Sequence, residues 1–325
     1  MTDQRTASVP TGTGAGGGTD LAAVRRRIST DVVGRERELD LVLAAIAAGR
    51  DLILEGPPGT SKSTLLRAIT GHWGIPLVLV EGNADLTPSR LVGHHNPSRV
   101  LREDYSADNF VAGPLVQAMR DGGFLYVEEF NRAPEDTIDV LLTAMAERVI
   151  TIPRVGVVTA VPSFRVVASM NPYDNVGTTR LSTSVYDRMC RLVVDYQQVD
   201  AEQRIVARRA PGAAPRVVID AVAVTRATRV REDIRQGSSV RGAIDLALIV
   251  GQLCAMREIP IPGGDAQQPP RDLPQAYTAT FLDAMTIALS GRIHLDDLAA
   301  GNAEAVLTEI WQDHFLLNPA AAEPG

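Results

Sequence analysis

From about Leu21 to Tyr196, short aliphatic runs alternate with stretches whose apolar positions recur every three or four residues. That is the pattern of a parallel sheet with helices on both faces. The runs DLILE (51–55), PLVLV (76–80), FLYVE (124–128), RVVASM (165–170) and RLVVDY (191–196) predict strands. Helical spacing predicts helices over Glu36–Ala48, Ser63–Thr70, Pro114–Arg120, Pro134–Glu147 and Ser182–Met189. Between 149 and 164, VITIPRVGVVTAVPSF alternates around Pro and Gly breaks and predicts a hairpin. After about Val199 the period is helical only, with helices expected over 200–210, 216–235, 239–257, 274–290 and 302–315 and the loop IPIPGGDAQQPPRDLP between them. The expected architecture is an α/β domain over 21–198 followed by a small all-α domain over 199–325.

Composition narrows the class. The 325 residues suggest about two domains. Residues 1–20 are Gly-, Thr- and Ser-rich with almost no large apolar side chain, so a disordered tail is expected there. The tail contains a GxGxxG (Gly12, Gly14, Gly17), but no strand precedes it and no helix follows, so it lacks the context that places a pyrophosphate on a helix N-terminus. A formal net charge of −7 argues against a protein that coats nucleic acid or an anionic membrane. Cys190 and Cys254 provide neither a disulfide framework nor zinc-site spacing. With no apolar run long enough for a signal peptide or a membrane span, a cytoplasmic protein is expected.

The segment DLILEGPPGTSKSTLLRAI reads strand, Gly-rich loop, helix, which is the context a phosphate-binding loop requires. The loop residues Gly56, Pro57, Pro58, Gly59, Thr60, Ser61, Lys62, Ser63 and Thr64 are expected to surround the phosphates, with backbone N–H groups from all but the two prolines and the positive helix end facing them. Lys62 is the only lysine among 32 Lys and Arg residues. It sits where a compact ammonium suits the chemistry better than a planar guanidinium, and it would reach the β- and γ-phosphates. Ser63 would coordinate Mg²⁺. The loop pattern expects Gly before the Lys, and Ser61 stands there; if the position needs positive φ, the cost is on the order of 1 kcal/mol. Downstream, FLYVEEF ends a hydrophobic strand with two acids, Glu128 to hold the metal and Glu129 to polarise the attacking water. Two acids capping a strand before a turn is the plainer reading.

With GPPGTSKS, VEEFNRAP and ASMNP in this order, the chain resembles the AAA+ ATPases, and FNRAP with MAERVIT makes it look like the MoxR branch. Within that branch, SKS and the Glu-Glu pair look similar to the ATPases that help mature molybdenum-containing CO dehydrogenase. The resemblance covers about 30–315 and implies a P-loop NTPase core with a helical lid. It implies that Val33 and Gly34 of VVGRE lie on the adenine side, against the alternative of a turn before a helix. It matches Asn171 to sensor 1, against an Asn-Pro turn. It matches Arg188, with Arg180 as fallback, to an arginine finger reaching the γ-phosphate in a neighbouring subunit, against a surface Arg paired with an acid such as Asp187. It matches Arg241 to sensor 2 on a lid helix capped by Ser238 or Ser239. The stretch 84–112 resembles the helix-2 insert of this clade, and His94 and His95 within it read as solvated histidines in a polar loop rather than metal ligands. Glu128 stands where the family has Asp, which together with Ser61 puts the turnover rate in question.

The combined reading is a Mg²⁺-dependent ATPase, forming a homo-hexameric ring, that remodels a protein client or assists metal-cofactor insertion. The resemblance implies a partner with a von Willebrand factor A domain. One alternative is a nucleotide-gated assembly scaffold with little hydrolysis. Another is an AAA+ motor on nucleic acid, with Arg226, Arg229, Arg231 and Arg235 as a basic stripe on one helix, set against a solvated, ion-paired face.

Overall fold

Strands that are apolar on both faces belong in the middle of a sheet, and the most continuous such run, Phe124–Val127, is at most 2% exposed at every residue. The structure, a computed structural model, describes residues 20–103, 105–173, 177–263, 268–296 and 301–317. The tail expected over 1–20, with its Gly12, Gly14 and Gly17, lies outside them except for Asp20.

In chain order the first elements are α1 (Leu21–Ile28), α2 (Glu36–Ala47), β1 (Leu52–Glu55), α3 (Lys62–Trp73), β2 (Leu77–Glu81), α4 (Pro88–Val92), β3 (Gly93–His95), α5 (Pro97–Glu103) and β4 (Phe110–Ala112). There follow α6 (Pro114–Asp121), β5 (Phe124–Glu128), α7 (Glu135–Glu147), β6 (Val149–Ile152), β7 (Gly156–Thr159), β8 (Arg165–Met170), α8 (Thr183–Arg188) and β9 (Cys190–Val193). The rest is α9 (Val199–Arg209), α10 (Pro215–Ala227), β10 (Ile234–Gln236), α11 (Val240–Met256), α12 (Gln275–Leu289), β11 (His294–Leu295) and α13 (Ala303–Phe315).

The chain divides into two units. One takes in residues up to Asp31, Arg37–Glu55 and Ser63–Leu192; the other takes in Val32–Glu36, Gly56–Lys62 and the chain from Val193 onward. In the first, five strands form a sheet in the order β2-β5-β8-β1-β9, with β2–β5, β5–β8 and β8–β1 parallel. The expected α/β fold is what the sheet shows. Register aligns Glu81 with Glu128 and Glu55 with Met170, so the carboxyl ends of β2, β5, β8 and β1 share one edge. In open parallel sheets that edge is where ligands bind. Val116 and Met119 from α6 and Leu141 from α7 pack with Leu125, Val127 and Val166 of the sheet in one core. The segment 149–164 holds the antiparallel pair β6–β7.

Within 84–112 the chain is more ordered than a polar loop. β3 and β4 pair antiparallel, His94 opposite Val111 and His95 opposite Phe110. The expectation of two solvated histidines fails for His95: its ring sits edge-on to Tyr105 and Phe110, with centroids 5.2 and 5.4 Å away. Among the described residues no group of three or more His, Cys, Asp and Glu side chains is placed to hold a metal ion.

The second unit is helical, with Leu246, Val250, Tyr277, Phe281, Met285 and Phe315 in its core. That core also contains a charged pair: Arg216 and Asp220 are 2% and 0% exposed, with Arg216 Nε donating to Asp220 Oδ2 at 2.9 Å. Tyr277 Oη donates to the same carboxylate at 3.1 Å and His314 Nε2 lies 2.9 Å away. Such a pair is tolerated in a core because its remaining polar sites are filled.

The helix expected over 216–235 stops at Ala227. Thr228 Oγ1 donates to the Thr225 carbonyl at 2.6 Å and accepts from Ser238 N at 2.9 Å, so a β-branched hydroxyl residue draws the chain out of the helix. Beyond it, Ile234–Gln236 pairs antiparallel with His294–Leu295, a small ribbon among the helices. The basic stripe is thereby undone. Arg226 and Arg229 bind Glu202 at 3.0 and 2.7 Å, Arg231 binds Asp233 and Glu309, and only Arg226 lies on the helix. Among the described residues no helix is long and apolar enough to cross a membrane.

Candidate active site

β1 is buried along its whole length and leads into the loop from Gly56, which ends where α3 begins at Lys62. No acidic side chain occupies the first turn of α3, so the positive end of its backbone dipole is not offset locally. Within the loop, Lys62 Nζ donates to the carbonyls of Gly56 at 2.7 Å and Pro57 at 2.8 Å, and lies 3.2 Å from Thr60 Oγ1. Thr60 Oγ1 in turn donates to the Pro57 carbonyl at 2.9 Å. Pro58 and Thr64 are exposed, and Pro57, Gly59, Ser61, Lys62 and Ser63 are half-buried. Gly59 has φ 76°, and a Cβ there would lie 2.3 Å from Ser239 Oγ and 3.9 Å from Arg241 Cγ, so the loop needs Gly at this point. Ser239 caps α11 by accepting from the Arg241 amide, and the Arg241 side chain is exposed.

Ser61 has φ 67°, so the position does call for left-handed backbone. A Gly there relieves about 1–2 kcal/mol of strain but adds roughly 0.5–1 kcal/mol of unfolded-state entropy. The second offsets about half of the first. Ser61→Gly is therefore expected to change stability by less than about 1 kcal/mol, whereas Ser61→Val, β-branched and poorly suited to positive φ, lowers it by about 1–2 kcal/mol. Urea unfolding of the two variants beside the parent chain checks the ordering.

At the end of β5, Glu128 Oε1 accepts a hydrogen bond from Ser63 Oγ. The contact ties the first turn of α3 to β5. Glu129 turns into left-handed backbone, φ 53°, and its carboxylate, 43% exposed, pairs with Arg132 Nε at 3.0 Å. Gly82 permits this turn: its amide donates to the Glu128 carbonyl at 2.7 Å, and a Cβ would fall 2.3 Å from the Glu129 carbonyl oxygen. Asn171 follows β8; its Oδ1 accepts from the Tyr173 amide at 3.2 Å, the Asn-turn arrangement, and its carbonyl accepts from Asn131 Nδ2 at 3.3 Å. Arg188 ends α8 with its guanidinium exposed and donating to the Ser184 carbonyl at 3.1 Å; Arg180 is also exposed. In the other unit, the Val33 carbonyl accepts from Gln197 Nε2, and a Cβ at Gly34 would lie 2.5 Å from Ala201 Cβ.

Residues 51–189 match a family model described as an AAA domain of the dynein-related subfamily. Residues 19–77 match one described as the MoxR domain in MoxR-vWA-beta-propeller ternary systems. Over 51–189 the chain is thus similar to AAA domains, and over 19–77 to a MoxR domain. Gas vesicle ATPase GvpN1 of Halobacterium salinarum is 29% identical over 65% of this chain and 65% of its own length. Gas vesicle ATPase GvpN of Ancylobacter aquaticus is 26% identical over 72% of this chain and 71% of its own. The chain therefore spans about two thirds of the length of these relatives. A solved RuvB Holliday junction branch migration motor of Thermotoga maritima is 16% identical, covering 81% of this chain and 72% of that one, with a TM-score of 0.49.

Beside the phosphate loop one buried cation escaped the sequence reading. Arg35, next to Gly34, is 3% exposed; its Nη2 donates to the Thr60 carbonyl at 3.0 Å and also to the Asp195 carbonyl. It ties the VVGRE turn to the phosphate loop. Arg is rarely buried, and nothing local distinguishes this one from its many exposed counterparts.

Proposed function

We propose that the chain binds and hydrolyses ATP with Mg²⁺ as a subunit of a ring, a hexamer by analogy with its family, and uses the cycle to remodel a protein client. The observation that carries this reading is the Ser63–Glu128 contact, which joins the phosphate loop's helix to the acid pair. A hydroxyl and a carboxylate oxygen side by side are the hard donors that suit Mg²⁺. When bound, Mg²⁺ would offset charge on the phosphates. Lys62 and the first amides of α3 would hold the phosphates, Glu129 would accept a proton from the attacking water, and Asn171 would orient that water. Arg188, exposed at the end of its helix, would serve a neighbouring subunit's nucleotide, and Arg241 would sense the nucleotide from the helical unit. Val33 and Gly34 would face the base.

The MoxR match supports a partner with a von Willebrand factor A domain. The relatives named as gas vesicle ATPases support ATP turnover, and that turnover would drive either remodelling of a protein client or insertion of a metal cofactor. Ser61 in left-handed backbone and Glu129 paired with Arg132 favour a second reading, a scaffold that assembles on ATP and hardly turns it over. Phosphate release from Mg·ATP, run beside size-exclusion chromatography with and without nucleotide, separates them. Release that EDTA removes supports the motor. ATP-driven assembly at blank-level release supports the scaffold.

A further inference from the structure

Phe, Val, Leu or Ile would serve the packing of β5 at its third position, where the chain has Tyr126, fully buried. A buried tyrosine hydroxyl has to be partnered, and its partners here are two serines on neighbouring elements. Tyr126 Oη donates to Ser169 Oγ on β8 at 2.9 Å and lies 3.2 Å from Ser63 Oγ on α3. Ser63 Oγ meanwhile donates to Glu128. Four polar groups therefore form a line, Ser169, Tyr126, Ser63, Glu128, within the sheet unit.

Proton accounting gives the line a direction to choose. Each hydroxyl owns one hydrogen and two lone pairs. With the Ser63 hydrogen on Glu128 and the Tyr126 hydrogen on Ser169, the 3.2 Å contact between Tyr126 and Ser63 has no hydrogen in it. A rotation of the Tyr126 hydroxyl toward Ser63, with Ser169 returning its own hydrogen to Tyr126, fills all three contacts. Ser63 then donates to the carboxylate, accepts from Tyr126 and keeps one lone pair for a cation.

The acid in this line has more freedom than a shorter one. Glu128 has one more rotatable bond than Asp, so its grip on Ser63 fixes the serine rotamer less firmly. A second contact to Ser63 Oγ, from Tyr126, reduces that slack. We propose that Tyr126 is a positioning residue whose hydroxyl, braced by Ser169, holds the Ser63 side chain in the orientation that presents its free lone pair to Mg²⁺. The inference rests on the ATP-site reading above.

The test is the Mg²⁺ dependence of ATP binding, measured by fluorescence of a labelled ATP titrated at fixed nucleotide with rising Mg²⁺ and again in EDTA. Tyr126→Phe is expected to raise the half-saturating Mg²⁺ concentration about threefold to tenfold, the worth of one positioned hydrogen bond, while affinity in EDTA stays within about twofold of the parent. A purely structural role would lower the melting temperature and leave that midpoint in place. Ser169→Ala, which keeps the aromatic packing intact, is expected to move the midpoint in the same direction by less, and it carries the readout if Tyr126→Phe does not fold. An unchanged Mg²⁺ midpoint in both variants, with the parent binding ATP in a Mg²⁺-dependent way, overturns the role of Tyr126. A parent chain that binds no ATP overturns the site reading itself.

Discussion

Replacing Glu129 with Gln is expected to leave ATP affinity within about threefold of the parent and to lower steady-state hydrolysis about a thousandfold, the scale of losing a positioned general base together with its charge. Gln has the same length and can still accept a hydrogen bond, so the turn after β5 is not asked to change. What disappears is the negative charge that would take a proton from water. The cost to the fold is small. The Glu129–Arg132 pair joins side chains that are 43% and 41% exposed, and pairs of that kind contribute about 0–1 kcal/mol. Labelled-nucleotide binding and phosphate release on one preparation, with a melting curve as control, give the three readings needed. Parent-level turnover in Glu129→Gln would remove Glu129 from the chemistry and leave the acid pair as a strand cap. Equal, near-blank turnover in parent and variant would instead favour the scaffold.

The sheet was legible because its central strands are buried on both faces. Phe124–Glu128 and Arg165–Met170 occupy the ranges that their apolar runs predict, since a strand covered on both sides needs no alternation and ends where the first charged or turn-forming residue appears. The outermost strand was less clear: RLVVDY reads as strand to 196, whereas the observed strand is Cys190–Val193. The phosphate loop was legible for another reason, namely that its residue types are dictated by geometry. Gly59 has no room for a Cβ, and Ser61 stands out because its position needs positive φ. What stayed hidden depends on partners distant in sequence. Thr228 ends a helix through Ser238, ten residues on, and Arg35 is buried by a carbonyl 160 residues away. Tyr126 reads as one more apolar strand residue until Ser63 and Ser169 are placed beside its hydroxyl. Periodicity records which face of an element is covered, and it carries no information about which polar groups meet there.

Lys62→Ala is expected to weaken ATP binding by about a hundredfold or more, since one or two charge-assisted hydrogen bonds to phosphate are worth roughly 1.5–3 kcal/mol each. The loop itself indicates why no other cation should serve. A single ammonium nitrogen donates to two carbonyls, at 2.7 and 2.8 Å, and lies 3.2 Å from the Thr60 hydroxyl, so three oxygens surround one point. An ammonium has three hydrogens on that one atom, whereas a guanidinium spreads five over a flat fork. Lys62→Arg keeps the charge and changes the shape, and it is therefore expected to recover only part of the lost affinity. The contrast between the two variants is the informative measurement, made by calorimetric titration of ATP. If charge alone mattered, Arg would restore parent affinity, and the sole lysine in this arginine-rich chain would be an accident of composition. If the point geometry matters, Arg remains well below the parent although both carry one positive charge, and the lysine is there because the loop's oxygens converge on a single nitrogen.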